Sequence, residues 1–517
     1  MRPTLLILTL STALTACASL DRYPVTGGGY AAPPLVAASL EMAGDNAPEL
    51  EATLEHFAAL GDPQKLAAAE FLIENMEGQG YSKIELVDTD GEVVPYQALD
   101  HGNYDGALAE LDRLEAEHGS LDFKGTEFIN DLDVVTADFL IDSIDTAFAT
   151  WRTNPWSKSI DFDTFCETIL PYRGSNEPLE AWRPLVIERL APVATELGQE
   201  TDTKTAAARV NREVGRWLGF DSIFYIHPTD MGYDEMVQRG QGRCEDITNM
   251  NTYAMRAGGL PSAADYTPYW ADRDNNHAWP VVLDEHGEGH APLSARAAKV
   301  YRKTFALQRG GLSFDLGEGE SAPKWLDRKH FTDVTSQYVD VSAFDVDFDV
   351  APPATSHHAY LAVFNAGDWH AIAWAKLNVD KQRAHFEDIG RDIVYLPSYF
   401  DGALVPGAAP FFLHKDESRT SFPGKAAAIE VSLVATNPGK LTLAEDGTPV
   451  SRLEVGATYT LSIWKDGGWQ ELGKQTPKSD AAIKAKLPAD GLFWLVKDDS
   501  RLLERPFMIA DGMQVFR

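Results

Sequence analysis

Cysteine is scarce. The 517 residues hold three, Cys17, Cys166 and Cys244, too few for a disulfide framework or a zinc site built from thiols. Cationic side chains are in deficit as well: 45 Lys and Arg stand against 78 Asp and Glu, a net charge of -33, and no segment gathers basic residues into a patch that would neutralise a row of phosphates. Nucleic acid is excluded as a partner on that ground, while the acidity itself describes a solvated surface and names no substrate. Long apolar runs are missing beyond the N-terminal segment, so no second membrane helix is expected. What remains, 44% hydrophobic and 10% aromatic residues, is a globular composition, and the length calls for several domains.

The first 17 residues read as a signal peptide. Arg2 supplies the positive start, Leu5 to Leu14 is mostly apolar and small residues follow; the segment is too short to span a membrane as a mature helix. Its end, Leu14-Thr15-Ala16-Cys17, resembles the lipobox of bacterial lipoproteins. That resemblance implies lipidation of Cys17, passage across the inner membrane and a lipid anchor in the cell envelope. Residues 18–45, rich in Gly, Pro and small side chains, read as a flexible tether. Cys166 lies in the apolar run FDTFCETIL and reads as a small buried hydrophobe.

Residues 46–150 carry helical periodicity. Leu50, Leu54 and Phe57 share one face, and a second helix opens on Asp62 and Pro63 with Leu66, Ala69, Ile73 and Met76 spaced for burial. Residues 151–330 begin with segments dense in Trp, Tyr, Arg and Pro, which cover an interface or line a cleft; packing is the commoner use of such residues. The stripe Ala207, Val210, Val214 and Trp217 continues the helices.

The stretch 238–283 carries the chemistry. Gly240 and Gly242 permit a tight approach, Glu245 and Asp246 suit a helix start, and nothing breaks a helix from Cys244 to Arg256 before Gly258, Gly259 and Pro261 stop it. Cys244 therefore falls in a first turn, where the helix N-terminus favours a thiolate and an oxyanion. NNHAWPVVL reads as a strand with His277, Trp279, Val281 and Leu283 on one face, and Pro280 points to an edge strand or a bulge. Gly-x-Cys at a helix start, Arg256-Ala257-Gly258-Gly259-Leu260-Pro261 and His277-Ala278-Trp279 together resemble the transglutaminase-like core, which has a papain-like fold. More widely, segments such as KLAAAEFLIENM, NEPLEAWR and DIVYLPSY resemble large secreted bacterial lipoproteins carrying that core. The resemblance implies that Cys244 attacks an amide carbonyl to give a thioester acyl-enzyme, with His277 as general base and then acid. Water as acceptor makes a peptidase or amidase and an amine makes an acyltransferase, on peptide, protein or glycopeptide substrates. Family members carry a third residue, an Asp on the strand after the histidine's; here that position falls near Ser294. Asp284 belongs instead to a hairpin turn, DEHGEG. Gln238 is a candidate oxyanion donor, its alternative being an exposed loop glutamine. No cofactor is implied, and two ligands do not close a metal site.

Two further regions, 331–422 and 423–517, show short alternating runs separated by turn residues, the pattern of β-sandwich domains. Their Trp369, Trp374, Trp464, Trp469 and Trp494 either pack a core or stack on sugars. The whole reads as an α+β multidomain chain: a helical N-terminal region, a transglutaminase-like core at 151–330 and two β-sandwich domains. A non-catalytic alternative keeps the core as a scaffold for glycan- or protein-binding β domains.

Overall fold

The computed structural model describes residues 30–516 apart from 228–229, 285–286, 290, 294, 441, 444–448, 478–481, 499 and 501–503. Cys17 and Ser294 lie outside the described residues. The chain divides into two compact units. The first takes the described residues up to Ala264 together with those of Pro280–Gly289 and Thr304–Leu307; the second takes Asp265–Trp279, the described residues of His290–Lys303, and those from Gln308 onward.

In the first unit the apolar spacing produces the helices it predicts. Ala47–Leu60 buries Leu50, Leu54 and Phe57, and Pro63–Glu74 buries Ala69 and Ile73. The latter helix is capped by Asp62, whose carboxylate accepts from Gln64 N–H at 3.1 Å and Lys65 N–H at 3.3 Å, satisfying donors that have no partner within the helix. Two departures from the sequence reading occur here. The tether expected over 18–45 gives way to a helix at Pro34–Ala43, because Pro34 fits a first helical turn and Val36 and Ala43 have a core to enter. The helical region also contains an antiparallel ribbon, Gly80–Val87 paired with Asp122–Asn130.

The aromatic segments of 151–183 pack. Trp182 stacks on Tyr253 with ring centroids 4.4 Å apart and donates its indole N–H to the Tyr172 carbonyl at 2.7 Å, while Trp156 donates to the Gly258 carbonyl at 2.8 Å. The stacking on Tyr253 and the bond to Gly258 bear on the helix Cys244–Ala257 and its end.

The second unit is mostly β. A four-stranded sheet runs in the order His277–Val282, Ser262–Thr267, Tyr301–Lys303, Phe331–Asp333. The histidine strand is an edge strand, which is where Pro280, lacking an N–H, can be accommodated. C-terminal to it stand two multi-strand sheets, a half-barrel and a near-barrel. One has eight strands, with His358–Asn365 between Asp368–Asn378 and Ile393–Phe400; the other has seven, with Tyr459–Lys465 between Gly468–Gln475 and Leu492–Lys497. Alternation assigns each strand two faces. Leu361, Val363, Ile393 and Tyr395 enter the eight-stranded sheet's own core, and Leu461, Ile463, Phe493 and Leu495 enter the seven-stranded sheet's. Their neighbours Phe364, Trp369, Val394, Trp464 and Trp494 share one aromatic layer between the sheets. Both faces of His358–Asn365 are therefore covered and every residue in it is buried. Among the described residues no helix is long and apolar enough to cross a membrane.

Candidate active site

Cys244 is the first residue of the helix Cys244–Ala257. The chain reaches it through a helix, Tyr233–Arg239, that Gly240 terminates with φ +64°, a left-handed conformation suited to glycine. Gln241–Gly242 then pairs in parallel with Gly219–Phe220. Gly242 has no room for a side chain: a Cβ there would lie 2.7 Å from that of Asp246. Asp246 is the third helical residue, and its carboxylate accepts from Arg243 N–H at 2.9 Å and Met231 N–H at 3.4 Å, which caps the helix. Burial is the largest influence on Asp246 and pushes its pKa up to about 6 against the pull of Arg243 and of these N–H groups. For Arg243 burial works against charge, but Asp230, Glu245 and Asp246 outweigh it, and the guanidinium pairs with Asp230.

The thiol of Cys244 is half-buried and in no disulfide, whereas Cys166 is fully buried. Burial first, and then the charge of nearby Cys244, push the Tyr225 phenol up to about 12. The next residue, Glu245, accepts from the Ser175 hydroxyl at 3.3 Å. Ser175 belongs to a turn at 173–177 in which the Glu177 carboxylate accepts from Gly174 and Ser175 N–H, both at 2.7 Å. The far end of the helix is clamped by Arg256, which donates to the carbonyls of Thr168, Pro171, Arg173 and Ser262. Full burial holds the Arg256 pKa down to about 10.

His277 is the first residue of the strand His277–Val282. Its ring lies 6.1 Å from that of Trp270 and 5.4 Å from that of Trp279, and burial lowers its pKa. Trp279 is anchored in turn: its indole N–H donates to the Tyr338 hydroxyl at 3.0 Å, which donates to Asp265 at 2.6 Å. Asp265 is buried in a two-bonded pair with Arg302 at 2.8 and 2.9 Å. The imidazole thus lies beside two indoles, of which Trp279 is anchored by this polar network, and burial favours the neutral form of the ring.

The third position of the sequence reading, Ser294, lies outside the described residues. Residues 291–293 are in no strand, and the next strand of the sheet is Tyr301–Lys303, paired with Asp265 and Tyr266. Pro292 has no N–H to offer a ladder. Asp284 accepts from Glu288 N–H at 3.0 Å. Gln238 is exposed in the last turn of Tyr233–Arg239. Among the described residues no group of three or more His, Cys, Asp or Glu is placed to hold a metal ion. Sequence reasoning passed over Tyr225 and the Asp230–Arg243–Asp246 cluster, because only the parallel pairing of Gly219–Phe220 with Gln241–Gly242 brings that segment to the helix start.

Residues 191–293 match the model of the transglutaminase-like superfamily core. The match contains both Cys244 and His277, so this part of the chain is a transglutaminase-like domain. No curated protein matches the chain.

Proposed function

We propose that the protein is a cysteine-dependent acyl-transfer or amide-hydrolysing enzyme of the cell envelope. The observation that carries this reading is Cys244 as first residue of a capped helix within a transglutaminase-like domain. In the proposed cycle the Cys244 thiol loses its proton to His277 and the sulfur attacks the carbonyl carbon of an amide. The π pair moves to oxygen; on collapse the C–N bond breaks, the amine takes the proton from His277, and a thioester remains. Water then gives a carboxylic acid, or a second amine gives a new amide, and the thiol is restored. Peptide, protein or glycopeptide carboxamides are the substrate class, and the anchor is a lipid on Cys17.

The alternative is a non-catalytic module whose β domains bind glycan or protein; Trp369, Trp464 and Trp494 give it no sugar-stacking face, since they are buried against one another and Phe364. A direct assay supplies glutaminyl peptides with hydroxylamine as acceptor. Hydroxamate and ammonia in equal amounts are expected from the wild type, with a loss of about 10³-fold or more in Cys244→Ala. Turnover unchanged by that substitution would refute the proposal.

A further inference from the structure

The loop that delivers His277, residues 269–276, directs several of its carbonyl groups at buried side chains, and carbonyls removed from water need donors. Asn365 supplies them. It is 2% exposed; its amide nitrogen donates to the carbonyls of Trp270 at 3.0 Å, Arg273 at 3.1 Å and Asn275 at 3.0 Å, and its side-chain oxygen accepts from Asn275 N–H at 3.0 Å. Asn365 ends the strand His358–Asn365 and opens the hairpin to Asp368–Asn378. Both residues of that tight turn are left-handed, Ala366 at φ +48° and Gly367 at φ +84°, a conformation that costs an alanine about 1–2 kcal/mol. The Ala366 N–H donates to the Asp274 carboxylate at 2.8 Å. Arg505, 3% exposed, also grips the loop: it donates to the Ala271 carbonyl at 2.6 Å and pairs with Asp274 at 3.2 Å, while its own N–H donates to the Thr436 carbonyl at 2.8 Å. All of these residues, with His277, belong to the second unit.

We propose that Asn365 is a positioning residue for His277, with Arg505 and Asp274 completing a clamp through which the C-terminal sheets set the orientation of the general base. The inference rests on the proposed function, in which His277 takes the proton of Cys244. Asn275, which receives both a donor and an acceptor from Asn365, has φ +75°, a left-handed conformation that asparagine tolerates better than most residues. Its carbonyl also accepts from Trp270 N–H at 3.1 Å, which closes the loop on itself, and only Asn276 separates it from His277. Trp270, whose carbonyl takes a bond from Asn365, is the indole 6.1 Å from the imidazole. The clamp therefore fixes both the backbone that leads into His277 and one of the rings beside it. Without the Asn365 amide, three carbonyls lose their donor and the loop shifts to find others; a displacement of about 1 Å at a catalytic group costs about 10²-fold in rate. Sheets that the sequence presents as separate modules thereby serve the reaction without touching substrate.

The test is a double-mutant cycle in the full chain, read from the release of p-nitrophenolate as p-nitrophenyl acetate acetylates Cys244. In that step His277 takes the thiol proton, the sulfur bonds to the ester carbonyl carbon, the C–O bond breaks, p-nitrophenolate leaves and a thioester remains. Asn365→Ala is expected to slow acetylation about 10²-fold, and Asp274→Ala about fivefold. In the His277→Ala background each substitution is expected to change the rate by less than about twofold, because the group being positioned is gone. Falls by the same factor in both backgrounds would show that the clamp only supports the fold, and no fall in either variant would show that the loop does not need it; either result overturns the proposal. Should Asn365→Ala fail to fold by circular dichroism, the cycle with Asp274→Ala, at a side chain 20% exposed, decides by the same criteria. A wild type that takes no acetyl group at Cys244, or takes it no faster than His277→Ala, would refute the proposed function itself and leave the clamp no base to position.

Discussion

The Asp246 carboxyl group sits almost fully buried at the start of the nucleophile's helix, and its energetics set a pH dependence. Burial raises its folded-state pKa from 3.8 to about 6, so between those values the folded protein binds a proton that the unfolded chain releases. Stability therefore falls as pH rises across this window, by at most about 3 kcal/mol, and levels off above it. Asp246→Asn keeps an oxygen to accept from Arg243 N–H and removes the titration. Urea denaturation between pH 4 and pH 7 is expected to show the decline in the wild type and a flatter curve in the variant; equal slopes would contradict the account. At this scale the sequence was informative where the chemistry is local. Cys244 at a helix start and His277 at a strand start follow from glycine punctuation, helix-end charge and alternation. The approach of Gly219–Phe220 to the strand leading into Cys244 did not follow, because a parallel pairing between separate segments leaves no local signal.

The helix from Cys244 to Ala257 is fixed at its far end by a segment whose residue types have separate reasons. Gly259 adopts φ +70°, and a Cβ there would lie 2.7 Å from the Ser157 hydroxyl and 3.1 Å from the Thr150 carbonyl oxygen. Arg256 donates to four carbonyls, those of Thr168, Pro171, Arg173 and Ser262. Gly259→Ala is expected to cost about 1–3 kcal/mol, from backbone strain together with the close contacts, as read by chemical denaturation. A variant as stable as the wild type would remove the close approach as the reason for glycine. The stop at Gly258 and Gly259 was legible, as were the stripes of the N-terminal helices. The ribbon of Gly80–Val87 with Asp122–Asn130 and the absence of a strand at 291–293 were not, since both depend on pairing between distant segments and strand propensity is set by such neighbours.

At the scale of the molecule, the two C-terminal sheets share a layer of tryptophans. Trp464 lies 5.6 Å from Trp369, Trp494 lies 5.1 Å from Phe364, and the Trp494 indole N–H donates to the Glu504 carbonyl at 2.9 Å. Trp494→Ala opens a cavity in that layer and is expected to lower stability by about 3–5 kcal/mol, leaving the alkylation rate of Cys244 unchanged. A neutral effect on stability would mean that the layer does not couple the sheets. The two β regions were legible from alternating runs and turn pairs. Their curling into barrel-like sheets was not, because period-two patterning reports which face is buried and not which strand closes on which.

The central claim concerns one sulfur atom, and mass spectrometry of the protein trapped during turnover of an activated acyl ester reads it directly. The account predicts a single acyl group, mapped to the peptide containing Cys244, absent in Cys244→Ala and formed more slowly in His277→Ala. No acyl group at Cys244, or one that forms at an unchanged rate without His277, would contradict it.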